Sequence, residues 1–518
     1  MKSAKQAPEV SYFDYIIVGG GTAGCPLAAT LSEKFHVLLL ERGGSPYGNR
    51  DITELSHFGL TLADTAPDSP AQRFVSEDGV PNTRARVLGG GSCLNAGFYS
   101  RASPAYVKSA GWVGALVNQS YRWVERTVAF EPPVLRWQSA LQHGLLEAGV
   151  TPFNGFTYDH VYGTKIGGTI FDREGHRHTA ADLLEHANPN GLTVLLHATA
   201  ARILFRRTGG SARPVAYGVV FIDAAGSEHR AYLNKGEKNE IILCAGALGS
   251  PQLLMLSGVG PKHQLQSLGI DVVVEQPMVG QSMSDNPMNA IFVPSPALVE
   301  TSLIQVVGIT RFGSFIEGSS GSNFARLELK FGVFSPFQTG EAGSKITGFF
   351  HKAGDLPMSH MRGGFILEKL MGPLSTGQLV LKNKNPNDNP SVTFNYFKEP
   401  EDLKVCVQGI KMIEKVIQSK AFSRFRFEFT SMEELLKIML NSPINMLPKH
   451  GNASKSVEQF CKDSVMTIWH YHGGCRVGEV VDEDYRVLGI DALRVIDGST
   501  FKISPGTNPQ ATVMMLGR

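Results

Sequence analysis

Residues 12–41 constrain the fold more than any other stretch of this chain. The segment YFDYIIV at 12–18 reads as a short buried strand, and CPLAATLSEK reads as a small-residue helix. Between them lies G-x-G-x-x-G, formed by Gly19, Gly21 and Gly24. A second strand, HVLLLE, follows at 36–41 and ends on Glu41, 20 residues after Gly21. The order strand, glycine turn, helix, strand, acid has a physical meaning. The first glycine permits a tight turn, the second admits a pyrophosphate close to backbone amides, and the third lets helix and strand pack closely. The helix N-terminus favours the anion, and the acid accepts ribose hydroxyls. Glu41 argues against a 2′-phosphate. The fingerprint predicts dinucleotide binding without choosing between nicotinamide and flavin.

The chain has 518 residues, more than one ordinary domain, so two or more lobes are expected. Hydrophobic residues make up 42% and charged residues 19%, a balance that folds. A net charge of +2 with no basic tract argues against nucleic-acid partners. No apolar run approaches the ~20 residues that span a bilayer. The N-terminus, MKSAKQAPEV, has no apolar leader core, and VMMLGR at 513–518 reads as an apolar helix segment that stops without a cap, as a truncated chain would. The six cysteines are too scattered for a small disulfide scaffold.

Further strands are expected at 193–204, 216–222 and 240–244, and a helix from Pro251, with that proline in its first turn. Residues 286–400 read as a separate β-rich lobe that includes the SSGSN tract at 319–323 and QLVLKN. Residues 402–418 carry helical spacing. The fold class expected is α/β: a Rossmann-like domain of discontinuous segments, with a second domain of antiparallel sheet plus helices. The boundaries expected are 1–100, 186–285 and 456–518 for the first, and 101–185 and 286–455 for the second.

Three further stretches carry a family resemblance: ARVLGGGSCLNAGFY at 85–99, GALGSPQLLMLSGVG at 246–260, and the C-terminal run WHYHGGC, RVIDGS and SPGTNPQAT within 469–512. With the N-terminal fingerprint they resemble the glucose–methanol–choline (GMC) oxidoreductases over essentially the whole chain. The C-terminal wording is most similar to the plant branch, which holds Hothead-like proteins and mandelonitrile lyases. The resemblance implies FAD, with an antiparallel sheet roofing the flavin ring. Gly19, Gly21, Thr22 and Gly24 would cradle the pyrophosphate, and Glu41 with Arg42 would meet the adenosine ribose. Ala200 would meet the adenine. Arg86, Gly89 and Gly90 would border the cofactor, and Asn95, Ala96 and Trp469 would lie near the ring. Asp497 and Gly498 would sit by the phosphates and ribityl chain, and Pro509 and Gln510 at the pyrimidine end. Relatives that attach FAD covalently carry His where this chain has Leu94, so non-covalent FAD is expected.

The chemistry implied is alcohol oxidation. A base takes the hydroxyl proton while flavin N5 takes hydride from the same carbon, and a neutral His suits the base. The family match selects His470 as base and Asn508 as its partner; from the residues alone His472 would serve as well. A zinc reading of H-x-H-x-x-C lacks a fourth ligand, so no metal is expected. The partners implied are a small alcohol, of the long-chain hydroxy fatty acid or aryl type, and an electron acceptor that no motif specifies. The alternative is an (R)-hydroxynitrile (mandelonitrile) lyase with structural FAD. Asn508 weighs against it, because those lyases carry a titratable His there. Relatives in this branch also pair the positions of Cys406 and Cys461 as a disulfide and are secreted. Sequons at Asn118 and Asn452 agree with an extracellular glycoprotein.

Overall fold

The computed structural model describes residues 1–207, 213–236, 238–321, 362–506 and 508–518. Its first layer is a six-stranded parallel sheet in the order Lys2–Ser3, Leu192–Leu196, Val37–Glu41, Tyr15–Val18, Glu240–Leu243, Leu493–Val495. Both faces are covered. Ile16, Val18, Leu38 and Leu40 point into one core, and Tyr15, Ile17, Val37 and Leu39 into another. That two-sided burial explains why these strands read as unbroken apolar runs. Each isoleucine or leucine so enclosed contributes about 1.5–3 kcal/mol of burial free energy. The chain leaves Tyr15–Val18 toward Val37–Glu41 on one side and later returns as Glu240–Leu243 on the other. Such a switch point opens a crevice at the carboxyl ends of the strands.

Two expected strands turn out to be two strands each. Residues 12–18 divide at Asp14: Val10–Phe13 pairs with Glu228–Leu233, while Tyr15–Val18 joins the parallel sheet. The Asp14 carboxylate causes the break by accepting His36 N at 2.9 Å and Asn234 Nδ2 at 2.9 Å. Residues 193–204 divide at His197, whose φ of 57° turns the chain out of Leu192–Leu196 into Thr199–Arg206. Val10–Phe13 and Thr199–Arg206 belong to a four-stranded sheet, Thr199–Arg206, Val215–Ile222, Glu228–Leu233, Val10–Phe13. The helix expected from Pro251 starts earlier, at Gly246, and runs to Leu256 with the proline inside. Gly246 adopts φ 80°, so the helix begins directly off strand Glu240–Leu243.

The second large sheet has seven strands: Met466–Thr467, Pro287–Pro294, Gly363–Leu370, Ser314–Ser320, Val306–Ile309, Gly163–Ile166, Phe153–Phe156. All neighbours are antiparallel except the last pair. Alternation assigns its faces. Ile316 and Ile366 pack with Trp137 and Leu141 of helix Arg136–Glu147 and Ile410 and Ile413 of helix Pro400–Gln418. Phe315, Val307 and Ile309 face the other way, packed with Phe98 and Ile304 against Ala96. That face roofs the crevice. The expected roof segment between 322 and 361, with the end of the SSGSN tract, lies outside the described residues. Among the described residues, no helix is long and apolar enough to cross a membrane.

Candidate active site

One cavity runs from the glycine turn to the roof, and it gathers most of the predicted residues. Gly19, Gly21, Thr22, Glu41, Arg42, Gly90, Asn95, Ala96 and Ala200 line it, as do Trp469, His470, Asp497, Gly498, Asn508, Pro509 and Gln510. Gly24, Arg86 and Gly89 do not. Gly24 packs the helix onto the turn, where a Cβ would lie 1.9 Å from Gly19 O. Arg86 spends its guanidinium on the carbonyls of Pro67 and Ser69. Gly89, with φ 95°, donates its N–H to Gly20 O at 2.7 Å and so stitches the second glycine run to the first.

The turn leaves room only for backbone. Gly19 has φ 106°, and a Cβ there would lie 2.4 Å from Cys244 O. A Cβ on Gly90 would lie 2.7 Å from Gly21 Cα. Glu41 is fixed by accepting Gly20 N at 2.9 Å and Gly43 N at 2.8 Å, and burial pushes its carboxyl up despite those bonds. Asp497 has a comparable duty. It accepts Gly246 N at 2.9 Å, Ser250 Oγ at 2.5 Å and Ser499 N at 2.8 Å, which ties 246–260 to 494–499. Cβ atoms on Gly246 and Gly498 would meet nothing within 4 Å, so the backbone there faces open space. These glycines and the fixed acid fit a bound dinucleotide.

At the roof end, Asn95 Nδ2 donates to Gln510 Oε1 at 2.8 Å, and Gln510 Nε2 donates to Phe98 O at 2.6 Å. Arg177 backs this pair, donating to Asn95 O at 2.7 Å and Ser92 O at 3.1 Å from a buried position. The sequence carried no motif around Arg177 to single it out. Two ring nitrogens of cavity-lining histidines are buried without a protein partner: Nδ1 of His470 and Nε2 of His472. Burial first, then Lys369 and His472, holds His470 well below the usual imidazole range. Burial likewise pushes His472 down to about 4, and its Nδ1 lies 3.0 Å from His470 O.

Sequence reasoning also missed Lys369 and Glu317. They form a fully buried ion pair at 2.7 Å beneath the roof, and Lys369 Nζ donates to Asn508 Oδ1 at 2.9 Å. Burial pushes the lysine down and the glutamate up, while their contact opposes both shifts. Alternation along Ser314–Ser320 and Gly363–Leu370 was the only available signal. It puts two charged residues on the apolar inner face, where an unpaired charge would be costly. Cys406 and Cys461 are joined as a disulfide, while Cys25, Cys93, Cys244 and Cys475 are buried thiols. Among the described residues no group of three or more His, Cys, Asp and Glu is arranged to hold a metal ion.

Comparison with known proteins decides the family. Two family models described as GMC oxidoreductase match residues 13–288 and 373–517. The chain belongs to the GMC oxidoreductase family. It is 53% identical to Protein HOTHEAD of Arabidopsis thaliana, over 98% of this chain and 87% of that protein. It is 43% identical to (R)-mandelonitrile lyase 1 of Prunus serotina, over 98% of this chain and 85% of the lyase. Sinalpyl alcohol oxidase Nec3 of Nesocodon mauritianus is also 43% identical, over 98% of this chain and 87% of the oxidase. Among solved structures, a formate oxidase shares the fold with a TM-score of 0.77 at 20% identity, covering 99% of this chain and 97% of the other. This GMC protein is therefore an FAD-dependent oxidoreductase.

Proposed function

We propose that this chain oxidises the CH–OH group of an alcohol, with His470 as base and Asn508 as the group that orients the substrate oxygen. The observation that carries the reading is the convergence of His470, Asn508 and the glycine cradle on one cavity. Bound flavin supplies a hydride acceptor at N5. His470 takes the hydroxyl proton as hydride leaves the same carbon, so the product is a carbonyl. Its depressed basicity keeps the ring neutral, hence ready to accept a proton, at ordinary pH. Asn508 is itself oriented by Lys369. An amide does not titrate in the working range, so it positions but shuttles no proton. That supports oxidation over cyanohydrin cleavage, where a second titratable group helps place charge on cyanide.

Leu94 lines the cavity where covalently linked relatives carry His, which supports non-covalent FAD. Residues 1–100, 186–285 and 456–518 form the cofactor domain in this reading, and 101–185 with 286–455 the substrate domain. Substrates are of the aryl alcohol or long-chain hydroxy fatty acid type, in keeping with a sinalpyl alcohol oxidase among the relatives. An extracellular glycoprotein is supported by the disulfide and by sequon residues Asn118 and Asn452, both exposed. The test is anaerobic spectrophotometry of the yellow protein against aryl alcohols and ω-hydroxy fatty acids. Loss of the oxidised-flavin band is expected with at least one. Persistent colour across the panel together with cyanide release from mandelonitrile would replace this reading with the lyase.

A further inference from the structure

Asp285 is 2% exposed and does not line the cavity, yet it grips the segment that carries His470. Its Oδ1 accepts the backbone N–H of His470 at 3.0 Å. Its Oδ2 accepts the hydroxyls of Thr467 and Tyr396, each at 2.6 Å. Thr467 Oγ1 in turn accepts the N–H of Trp469 at 2.7 Å. Between those two anchored peptides stands Trp469, a bulky residue at φ 58°. That left-handed conformation costs a residue with a side chain about 1–3 kcal/mol and persists only where the surroundings impose it. Here the peptide planes on both sides of the Trp469 Cα are tied to one carboxylate, directly at His470 and through Thr467 at Trp469.

We propose that Asp285 is a positioning residue for alcohol oxidation: it holds the left-handed turn at Trp469 and thereby fixes the direction in which the His470 ring enters the cavity. This rests on His470 being the base. Stability alone does not explain a carboxylate at this place. None of its donors, the hydroxyls of Thr467 and Tyr396 and the backbone N–H groups of His470 and Asn286, is cationic, and burial pushes its carboxyl up to about 6, so the ionised form is held at a cost. The titratable groups facing it are Tyr396, His470 and Tyr471. Burial pushes both tyrosines up and His470 down, so Asp285 is the one of the four that changes charge near pH 6. As pH falls through that value the carboxyl gains a proton, loses its charged grip on its donors, and the rate falls.

The experiment follows anaerobic flavin bleaching by saturating benzyl alcohol and ω-hydroxyhexadecanoic acid across the acid range, in holoenzyme. Wild type should lose rate below about pH 6, and Asp285→Asn should abolish that fall. Asp285→Ala, at alkaline pH, should bleach at least about tenfold more slowly with unchanged FAD content and half-saturating concentration, because a sub-ångström misplacement of a base is enough for that. The proposal is overturned if the acid fall is absent from wild type or persists in Asp285→Asn, if Asp285→Ala bleaches normally, or if its loss follows FAD loss. Should Asp285→Ala not fold, Thr467→Val removes both the hydroxyl bond to Asp285 and the acceptor for Trp469 N–H while leaving the carboxylate on His470, and is held to the same standard. If neither alcohol bleaches wild type, the oxidation reading fails separately and Asp285 is judged by NMR of protein carrying 13Cε1-labelled histidine. The His470 signal, assigned by its absence in His470→Gln, should then shift with a midpoint near pH 6 in wild type and not in Asp285→Asn. A flat signal in both overturns the proposal.

Discussion

In the proposed reaction, His470 answers two opposed demands. A base must be unprotonated before the reaction and must still attract the hydroxyl proton during it. Burial and the Lys369 charge meet the first demand by disfavouring the imidazolium. The second is met only as the alcohol sheds hydride and its oxygen becomes a carbonyl. Replacing the ring should therefore stop chemistry without disturbing the cradle, which is built from other residues. His470→Ala is expected to purify yellow and FAD-loaded, with flavin reduction slowed by ~10²-fold or more. Reduction at the wild-type rate would transfer the base role to His472, which lines the same cavity with an unpartnered Nε2. The choice between these two histidines was not available from spacing, since H-x-H offers both. Nor was the support beneath them: Lys369 and Asp285 lie far from His470 in sequence, and neither sits in a motif. Only pairing of Gly363–Leu370 with Ser314–Ser320, and the start of strand Pro287–Pro294 beside Met466–Thr467, brings them under it.

At the scale of elements, the glycine turn and its flanking strands were legible because backbone sterics leave few alternatives there. A Cβ at Gly19 or Gly24 would collide with backbone, so the residue type and the geometry specify one another. The strand breaks at Asp14 and His197 were not legible. In each case strand-forming residues lie on both sides of a single polar residue, and what ends the strand there is a long-range hydrogen bond or a positive φ that periodicity does not carry. Charged residues on strands tell a similar story. Glu368 alternates onto the helix side of its strand, packed where a Cβ on Gly409 would lie 2.0 Å from its Cγ. Its Oε1 accepts Ser314 Oγ at 2.9 Å, its Oε2 has no protein partner, and burial raises it to about 8. A folded-state value above the unfolded one means that stability is fullest below the unfolded carboxyl range. It drains as pH rises toward about 8. Glu368→Gln mimics the protonated form. It should raise stability at pH 8 by on the order of 1–3 kcal/mol and flatten the fall between pH 5 and pH 8, read by urea denaturation. An unchanged slope against pH would show that Glu368 is not the group responsible.

Across the whole molecule, the segment that carries the proposed base belongs to neither layer alone. Met466–Thr467 is the edge of the seven-stranded sheet, and within a few residues the chain reaches His472, which exchanges backbone hydrogen bonds with Ser284 at 2.8 and 2.9 Å, and Cys475, whose thiol is buried in the core around the parallel sheet. Upstream, helix Val457–Asp463 is joined to helix Pro400–Gln418 by the Cys406–Cys461 disulfide. Asn289 on the sheet bonds to the same place, its Nδ2 donating to Cys461 O at 3.0 Å. The cross-link thus pins the rear of the roof sheet, 55 residues apart in sequence, just before the chain enters the site. Closing a loop of that length restricts the unfolded chain and is worth about 2–4 kcal/mol. The double substitution Cys406→Ser and Cys461→Ser should accordingly lower the denaturant midpoint of the roof. The cradle, packed in separate cores around the parallel sheet, should keep its FAD affinity. Two probes on one titration resolve this: flavin fluorescence for the cradle and, in a background where Trp112, Trp123 and Trp469 are replaced by Phe, emission of the buried Trp137 for the roof. An earlier tryptophan transition with an unmoved flavin transition is the expected result. If both move together, the two layers unfold as one cooperative unit, and segment 466–475 bridging them is the element that couples them.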